Sequence, residues 1–160
     1  MRAAPADPLP AEQLASVLSD AGAGDRLLEL SEKLRQKYPD RLETRYYYAA
    51  ALFMDGRTPE ALNAVRTVVD ANPRHARAQN LLGAACATTG HRDCARDAFL
   101  ASIDADPRDP NTYVNLGQLL LDSGDVAGAT DYLTQALTLD PTNAAARDAL
   151  ARARRSSPAR

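Results

Sequence analysis

ARAQNLLGAACATTGHRDCARDAFLASIDADPRD (Ala76–Asp109) runs directly into PNTYVNLGQLLLDSGDVAGATDYLTQALTLDPTN (Pro110–Asn143), and the two 34-residue stretches carry one pattern. Gly83 returns as Gly117, Gly90 as Gly124, Ala95 as Ala129 and Pro107 as Pro141. Leu82 returns as Leu116, and Leu133 takes the place of Phe99. Carried upstream, the same offset reaches Gly56, Ala61 and Pro73, then Gly22 and Pro39. A fixed period of this length marks a repeat array, in which each unit buries its apolar face against its neighbours.

The breakers divide the array into helical hairpins. Each of Gly22, Gly56, Gly90 and Gly124 sits between two apolar-periodic stretches, where a tight helix-to-helix turn needs positive φ. Each of Pro39, Pro73, Pro107 and Pro141 follows the second stretch and ends it, having no N–H to continue the ladder. Leu116, Leu119 and Leu120, then Ala129, Leu133, Ala136 and Leu137, follow the i, i+3, i+4, i+7 spacing of a helix face, and no alternating β-branched run competes. The expected helices span residues 10–21, 25–37, 42–55, 58–71, 76–89, 92–105, 110–123, 126–139 and 143–155. Thr58 before Pro59 and Asp109 before Pro110 read as N-caps, as do Asp25, Asp125 and Asn143.

The pattern resembles the tetratricopeptide repeat, a helix–turn–helix unit with a Leu-Gly pair in its first helix and small residues in its second. The fourth repeat supplies Tyr113, Leu116-Gly117, Leu120, Ala129, Leu133, Ala136 and Pro141, and the third Gln79, Leu82-Gly83, Cys86, Ala95, Phe99, Ser102 and Pro107. The second supplies Arg45, Tyr48-Ala49, Leu52, Ala61, Val65, Val68 and Pro73; the first is degenerate, with Ala11, Leu14-Ala15, Leu18, Leu27, Ser31, Leu34 and Pro39. Small residues at Ala15, Ala49, Gly83 and Gly117 belong where the paired helices come closest. The resemblance implies an all-α fold, a right-handed α-α superhelix of about nine helices with the first helices lining a concave face. The division it implies is a leader (1–8), a degenerate first repeat (9–41), repeats at 42–75, 76–109 and 110–143, a capping helix (144–155) and a tail (156–160). In the capping helix Leu150-Ala151 takes the Leu-Gly place, while Arg147 and Arg154 stand where large apolar residues belong, which suits a helix with one face in water.

The totals narrow the function. A net charge of −2 offers no field for nucleic acid or an anionic membrane, and the arginines of the last helix suit a helix C-terminus. No apolar run reaches the roughly 20 residues of a membrane helix, so no direct membrane insertion is expected. The start, Met1 to Pro10, lacks the apolar core of a secretory signal, so the location is cytoplasmic by default, or periplasmic or secreted if a signal or anchor lies upstream. No P-loop, dinucleotide fingerprint or nucleophile elbow is present, so no catalytic residue, enzyme activity, cofactor or metal is expected. His75 and His91 read as solvated turn residues. Cys86 and Cys94 leave three readings: a buried small side chain with an incidental thiol, a disulfide stapling two helices, or a metal site with His91 that lacks a fourth ligand.

The function the resemblance implies is a non-enzymatic scaffold that holds a peptide or protein segment in its groove, as an adaptor or assembly factor. A self-associating homo-oligomer and an accessory domain of a larger enzyme or membrane assembly are the alternatives. Counted from each repeat's start (Pro8, Leu42, Ala76, Pro110), places two, five, nine and twelve of the first helix should face the groove, with place six beside them. The candidate binding residues are Tyr46, Tyr47 and Phe53 in the second repeat, Arg77, Asn80 and Ala84 in the third, and Asn111, Asn115 and Gln118 in the fourth. Aromatic area favours hot spots, amides can bond both N–H and C=O of a peptide, and Arg77 can pair with a carboxylate. Some members of the family clamp the C-terminal carboxylate of a chaperone with two lysines, two asparagines and an arginine. Here the matching places hold Tyr46, Ala50, Leu81, Asn111 and Asn115 in one register and Glu12, Ser16, Tyr47, Arg77 and Leu81 in the other, and neither fits.

Overall fold

The computed structural model describes residues 7–156. Within them the chain forms α1 (Leu9–Asp20), α2 (Gly24–Lys37), α3 (Leu42–Met54), α4 (Thr58–Ala71), α5 (Ala76–Thr88), α6 (Arg92–Ala105), α7 (Pro110–Asp122), α8 (Val126–Leu139) and α9 (Ala144–Ser156), with no strand among the described residues. The fold is an all-α helical repeat, and every expected helix end lies within one residue of its observed place. The leader and tail lie largely outside the described residues, which omit 1–6 and 157–160.

The hairpin turns are built alike. In the third, Gly90 takes φ +79°, its N–H donates to Ala87 O at 3.0 Å, and the His91 N–H donates to Cys86 O at 2.8 Å. This paired closure satisfies carbonyls at the helix end, and a left-handed residue at its centre is what glycine supplies without a Cβ clash. Gly22, Gly56 and Gly124 repeat it with φ of +69°, +76° and +85°.

The residue before each first helix is a capping place. Asp109 Oδ1 accepts from the Asn111 N–H at 3.0 Å and Asn143 Oδ1 from the Ala146 N–H at 2.9 Å. His75, at the same place, is no idle turn residue: its Nδ1 accepts from the Ala78 N–H at 3.2 Å. Arg41 falls there too, and a guanidinium cannot accept. It crosses instead to α1, where its Nε and Nη2 hold Glu12 at 2.6 and 2.8 Å. Asp125 caps α8 through the Gly128 N–H at 2.9 Å, as expected. Thr58 and Asp25 do not cap. Thr58 is already inside α4, which Arg57 precedes with no side-chain bond, and Asp25 lies one residue inside α2, which Ala23 precedes.

The helices group into two compact halves, one ending at Asn72 and one beginning at Pro73. In the N-terminal half α3 packs on α1, α2 and α4, and Ala15, Leu27, Ala49, Ala61, Val65 and Val68 are fully buried. In the C-terminal half α5 packs on α6, α7 on α8, and α9 on α8 and α7. Gly83 lies against the Phe99 ring so closely that a Cβ there would stand 2.5 Å from two ring carbons. A Cβ on Gly117 would stand 2.7 Å from Leu133 Cγ. The Leu-Gly pair is thus the point of nearest helix approach, and the large side chain opposite fills the space the missing Cβ leaves.

The place four residues into each first helix is not simply a bulky packing position. Arg45 Nε donates to Pro39 O at 2.8 Å, Gln79 Nε2 to Pro73 O at 2.8 Å and Tyr113 Oη to Pro107 O at 3.2 Å. Three chemically different side chains satisfy the same carbonyl, the one the helix-ending proline leaves in the turn. In α9 the exposed Arg147 reaches Thr142 O at 3.1 Å instead. Leu150 is 7% exposed but Ala151 faces solvent, since α9 has no following helix to nest against within the described residues.

Candidate peptide-binding surface

Each half presents its candidate residues differently. In the N-terminal half all three lie on α3, the helix enclosed by three others. Tyr46 and Tyr47 are only 6% and 4% exposed, their rings edge-to-face with centroids 5.2 Å apart. That leaves them little area to offer a ligand; Phe53 is half-buried. Glu12 stands at the fifth place of the first repeat and is 7% exposed, and its bidentate bond to Arg41 occupies both carboxylate oxygens. Arg41 is held further above its ordinary value by that hydrogen bond to Glu12. Sequence periodicity could not find this pair, because its partners lie 29 residues apart and neither repeats.

In the C-terminal half the candidates lie on α5 and α7. Asn80 and Asn115, from neighbouring first helices, meet: Asn115 Nδ2 donates to Asn80 Oδ1 at 2.9 Å. Both are half-buried, as are Arg77, Ala84 and Gln118, while Asn111 is exposed. A donor–acceptor count follows. The contact uses one hydrogen of Asn115 and one lone pair of Asn80, leaving the Asn80 amide hydrogens and the Asn115 carbonyl oxygen for other partners. The pair therefore offers an adjacent donor and acceptor, the complement of a peptide group's C=O and N–H. Val114, the register mate of Asn80 and the residue before Asn115, is 5% exposed and fixes α7 in the core that includes Leu133 and Ala136.

Beneath this surface runs a buried polar chain. Ser102 Oγ lies 2.9 Å from Ala76 O and 3.2 Å from Thr112 Oγ1, which lies 2.7 Å from Asp109 Oδ2. Two hydroxyl protons serve three contacts: Ser102 donates to the Ala76 carbonyl and Thr112 to the capping carboxylate, which leaves the contact between the two hydroxyls without a proton of its own. The chain ties the first turns of α5 and α7 to α6.

Cys86 and Cys94 are joined in a disulfide, with Cα atoms 5.9 Å apart, and not left as a packed side chain and a separate thiol. The hairpin turn sets that distance by bringing the end of α5 beside the start of α6, within the span a disulfide accepts. The metal reading loses both sulfur ligands to this bond, and among the described residues no group of three or more His, Cys, Asp or Glu is placed to hold an ion. His91 Nδ1 sits 2.9 Å from Thr89 Oγ1 at the surface. A cleft of about 360 Å³ in the N-terminal half, lined by Arg35, Pro39, Arg45, Tyr48, Ala64 and Thr67, includes none of the candidate residues.

The family model of the tetratricopeptide repeat matches residues 51–110 and 89–144, together more than half of the chain. No curated protein sequence is significantly similar. Among solved structures, the chain resembles MamA (residue 41 to its end) from Desulfovibrio magneticus RS-1 at 25% identity and TM-score 0.67, covering 86% of this chain and 78% of that one. It resembles TTC0263, a thermophilic TPR protein of Thermus thermophilus, at 23% identity and TM-score 0.77, covering 93% and 82%. It also resembles the first TPR of Spaghetti (RPAP3), solved with the HSP90 peptide SRMEEVD, at 16% identity and TM-score 0.69, covering 72% and 91%. At 23% and 16% identity the last two show a shared fold.

Proposed function

Because the chain belongs to the tetratricopeptide-repeat family, we propose that it is a non-enzymatic scaffold that holds an extended peptide segment along the first helices α5 and α7. The observation that carries this reading is the Asn80–Asn115 amide pair, in which half-buried amides from two consecutive repeats meet and keep a donor and an acceptor beyond their own bond. Gln118 and Asn111 extend the row of amides along α7, and Ala84 leaves a strand of backbone room beside it. The aromatic contribution expected from Tyr46 and Tyr47 is small in this reading, since burial has already consumed their area. A relative of the fold is solved with a chaperone peptide, but the lysines of the carboxylate clamp have no counterpart here, so an acidic C-terminal tail is not the ligand class this surface selects.

Selection from a random-peptide library tests the reading. Peptides that bind the wild-type chain should weaken at least about tenfold against Asn80→Ala/Asn115→Ala, a loss of about 1.4 kcal/mol or more. Equal binding to both proteins would move the site elsewhere.

The disulfide favours the second location considered for this chain. No helix among the described residues is long and apolar enough to cross a membrane. A Cys86–Cys94 bond persists in an oxidising compartment and is rare in the cytosol of mesophiles. The reading is export, tested by thiol titration of protein purified without reductant. Two titratable thiols per chain would return the protein to a reducing compartment.

A further inference from the structure

The second and fourth repeats differ at a place where one carries a ring and the other a gap. In the C-terminal half the ring of Tyr132, on α8, lies beside that of Tyr113, with centroids 6.3 Å apart. Tyr132 and Ile103 of α6 both pack on the core that holds Tyr113. Two periods upstream, the places of Tyr132, Tyr113 and Ile103 hold Ala64, Arg45 and Arg35. There α4 has no ring to offer, and a cleft of about 360 Å³ stands between α2, α3 and α4. Ala64 and Thr67 line it from α4, Tyr48 and Arg45 from α3, and Arg35 from α2. Its volume falls at the lower end of the range in which proteins hold small groups. What fills this place elsewhere in the molecule is an aromatic side chain. Here that side chain is missing, and two of its apolar neighbours have become arginines.

We propose that this cleft is a second binding site, separate from the amide surface of α5 and α7, for an aromatic side chain flanked by carboxylates on a partner's peptide segment. The ring follows from Tyr132, since the methyl group of Ala64 leaves empty the room that a phenol takes in the C-terminal half. The carboxylates follow from the arginines. Arg35 is exposed and lies with its Cζ 4.3 Å over the Tyr48 ring, stacked there and not paired with a carboxylate among the described residues. A stacked guanidinium keeps its in-plane N–H donors for a carboxylate while its faces serve rings. Arg45 spends its Nε on Pro39 O at 2.8 Å, and its Nη2 reaches Asp40 Oδ1 only at 3.4 Å. The Asp40 side chain is 97% exposed, so water weakens that contact and an incoming carboxylate replaces it at little cost. An uncharged aromatic group would fill the space and leave both guanidinium groups to water, and an aliphatic acid would do the reverse. A peptide with an acidic residue on each side of the ring supplies both carboxylates from one chain, which a simple aromatic acid does not.

The test is a titration with the blocked peptide Gly-Asp-Phe-Asp-Gly, followed by NMR at the Ala64 and Thr67 methyl groups and the Tyr48 ring. One buried ring with two exposed ion pairs should give a dissociation constant of about 1 mM or below. Alanine in place of the peptide's phenylalanine should weaken binding at least about tenfold. Asparagine in place of both its aspartates should weaken it about threefold or more. Ala64→Tyr installs the ring of the C-terminal half and should abolish the shifts at Thr67 and Tyr48. Arg35→Gln should weaken the acidic peptide about threefold and leave the asparagine peptide unchanged. Asn80→Ala/Asn115→Ala should bind like wild type, which separates this site from the amide surface. If Ala64→Tyr loses its far-ultraviolet helix signal, Ala64→Met replaces it in the same measurement. No shift at these residues up to about 10 mM peptide overturns the proposal. So does equal binding of the alanine peptide, and so does undiminished binding to the Ala64 variant. Phenylacetate that binds as tightly as the peptide would make the occupant a small aromatic acid and overturn it as well.

Discussion

Gly83→Ala puts one methyl group where the structure has no room for it. The added Cβ would lie 2.5 Å from Phe99 Cδ1 and Cε1 and 3.0 Å from its Cγ, so the body of the ring, and not a flexible tip, must move by about 1 Å. Phe99 is 2% exposed and cannot swing into solvent. Overpacking of this kind costs about 1–3 kcal/mol. Alanine also recovers about 1 kcal/mol over glycine inside a helix, and α5 runs five residues beyond this site. The net expectation is a loss of about 1 kcal/mol. Phe99→Leu reverses the sign, because it installs the residue that the fourth repeat uses opposite its own glycine and removes most of the ring. In that background Gly83→Ala should stabilise by up to about 1 kcal/mol, a coupling of about 2 kcal/mol between residues 16 apart in sequence. Urea titrations followed by circular dichroism on the four proteins of the cycle give the numbers. The slope of each transition should be checked for constancy, since repeat arrays can lose two-state behaviour. If Gly83→Ala stabilises the wild-type chain by about 1 kcal/mol and shows no coupling to Phe99, helix propensity alone is acting and the close approach is absent.

Reduction of the Cys86–Cys94 bond, or Cys86→Ala/Cys94→Ala, should lower stability by about 2–3 kcal/mol in the same titration, as expected for a short closed loop. Thr44→Val should be neutral or stabilising by up to about 1 kcal/mol. Thr44 is 0% exposed and its Oγ1 has no hydrogen-bond partner among the described residues, whereas its register mate Thr112 has Asp109 and Ser102. Asp140 is held below its ordinary 3.8 by the Thr142 hydroxyl first, then by the Thr142 N–H, with Arg147 adding to both. A lowered carboxylate stabilises the fold above its ordinary value and loses that contribution as pH falls through the depressed one. Asp140→Asn should therefore lower the melting temperature at pH 7 and flatten its decline below about pH 4, read by melts at closely spaced pH values.

Most of the architecture is written in residues whose role is the same in every repeat. The glycines at 22, 56, 90 and 124 and the prolines that close each unit mark the turns, and each helix follows from the apolar spacing between them. The small residues at 83 and 117 mark the nearest approach, because a missing Cβ has few other uses in mid-helix. What resisted reading is what changes from repeat to repeat. Position 41 holds an arginine where 75, 109 and 143 hold acceptors, and only the fold shows that it crosses to Glu12. Arg45, Gln79 and Tyr113 share no chemistry a pattern would group, yet bond the same carbonyl, because the turn geometry and not the residue type defines the contact. The burial of Tyr46 and Tyr47 depends on how helices pack around α3, which no periodic rule on α3 alone contains. The amides at 80 and 115 were visible as separate groove candidates. Their meeting was not, since it requires two helices brought together at places 35 residues apart.

The most direct test of the binding account is a peptide titration observed at the side-chain amide resonances of Asn80 and Asn115. A library-selected peptide should shift both pairs of signals in step with its binding curve, and neighbouring signals from α5 and α7 should follow. Saturation of the protein with those four resonances unmoved, and with changes confined to α6 and α8, would contradict it.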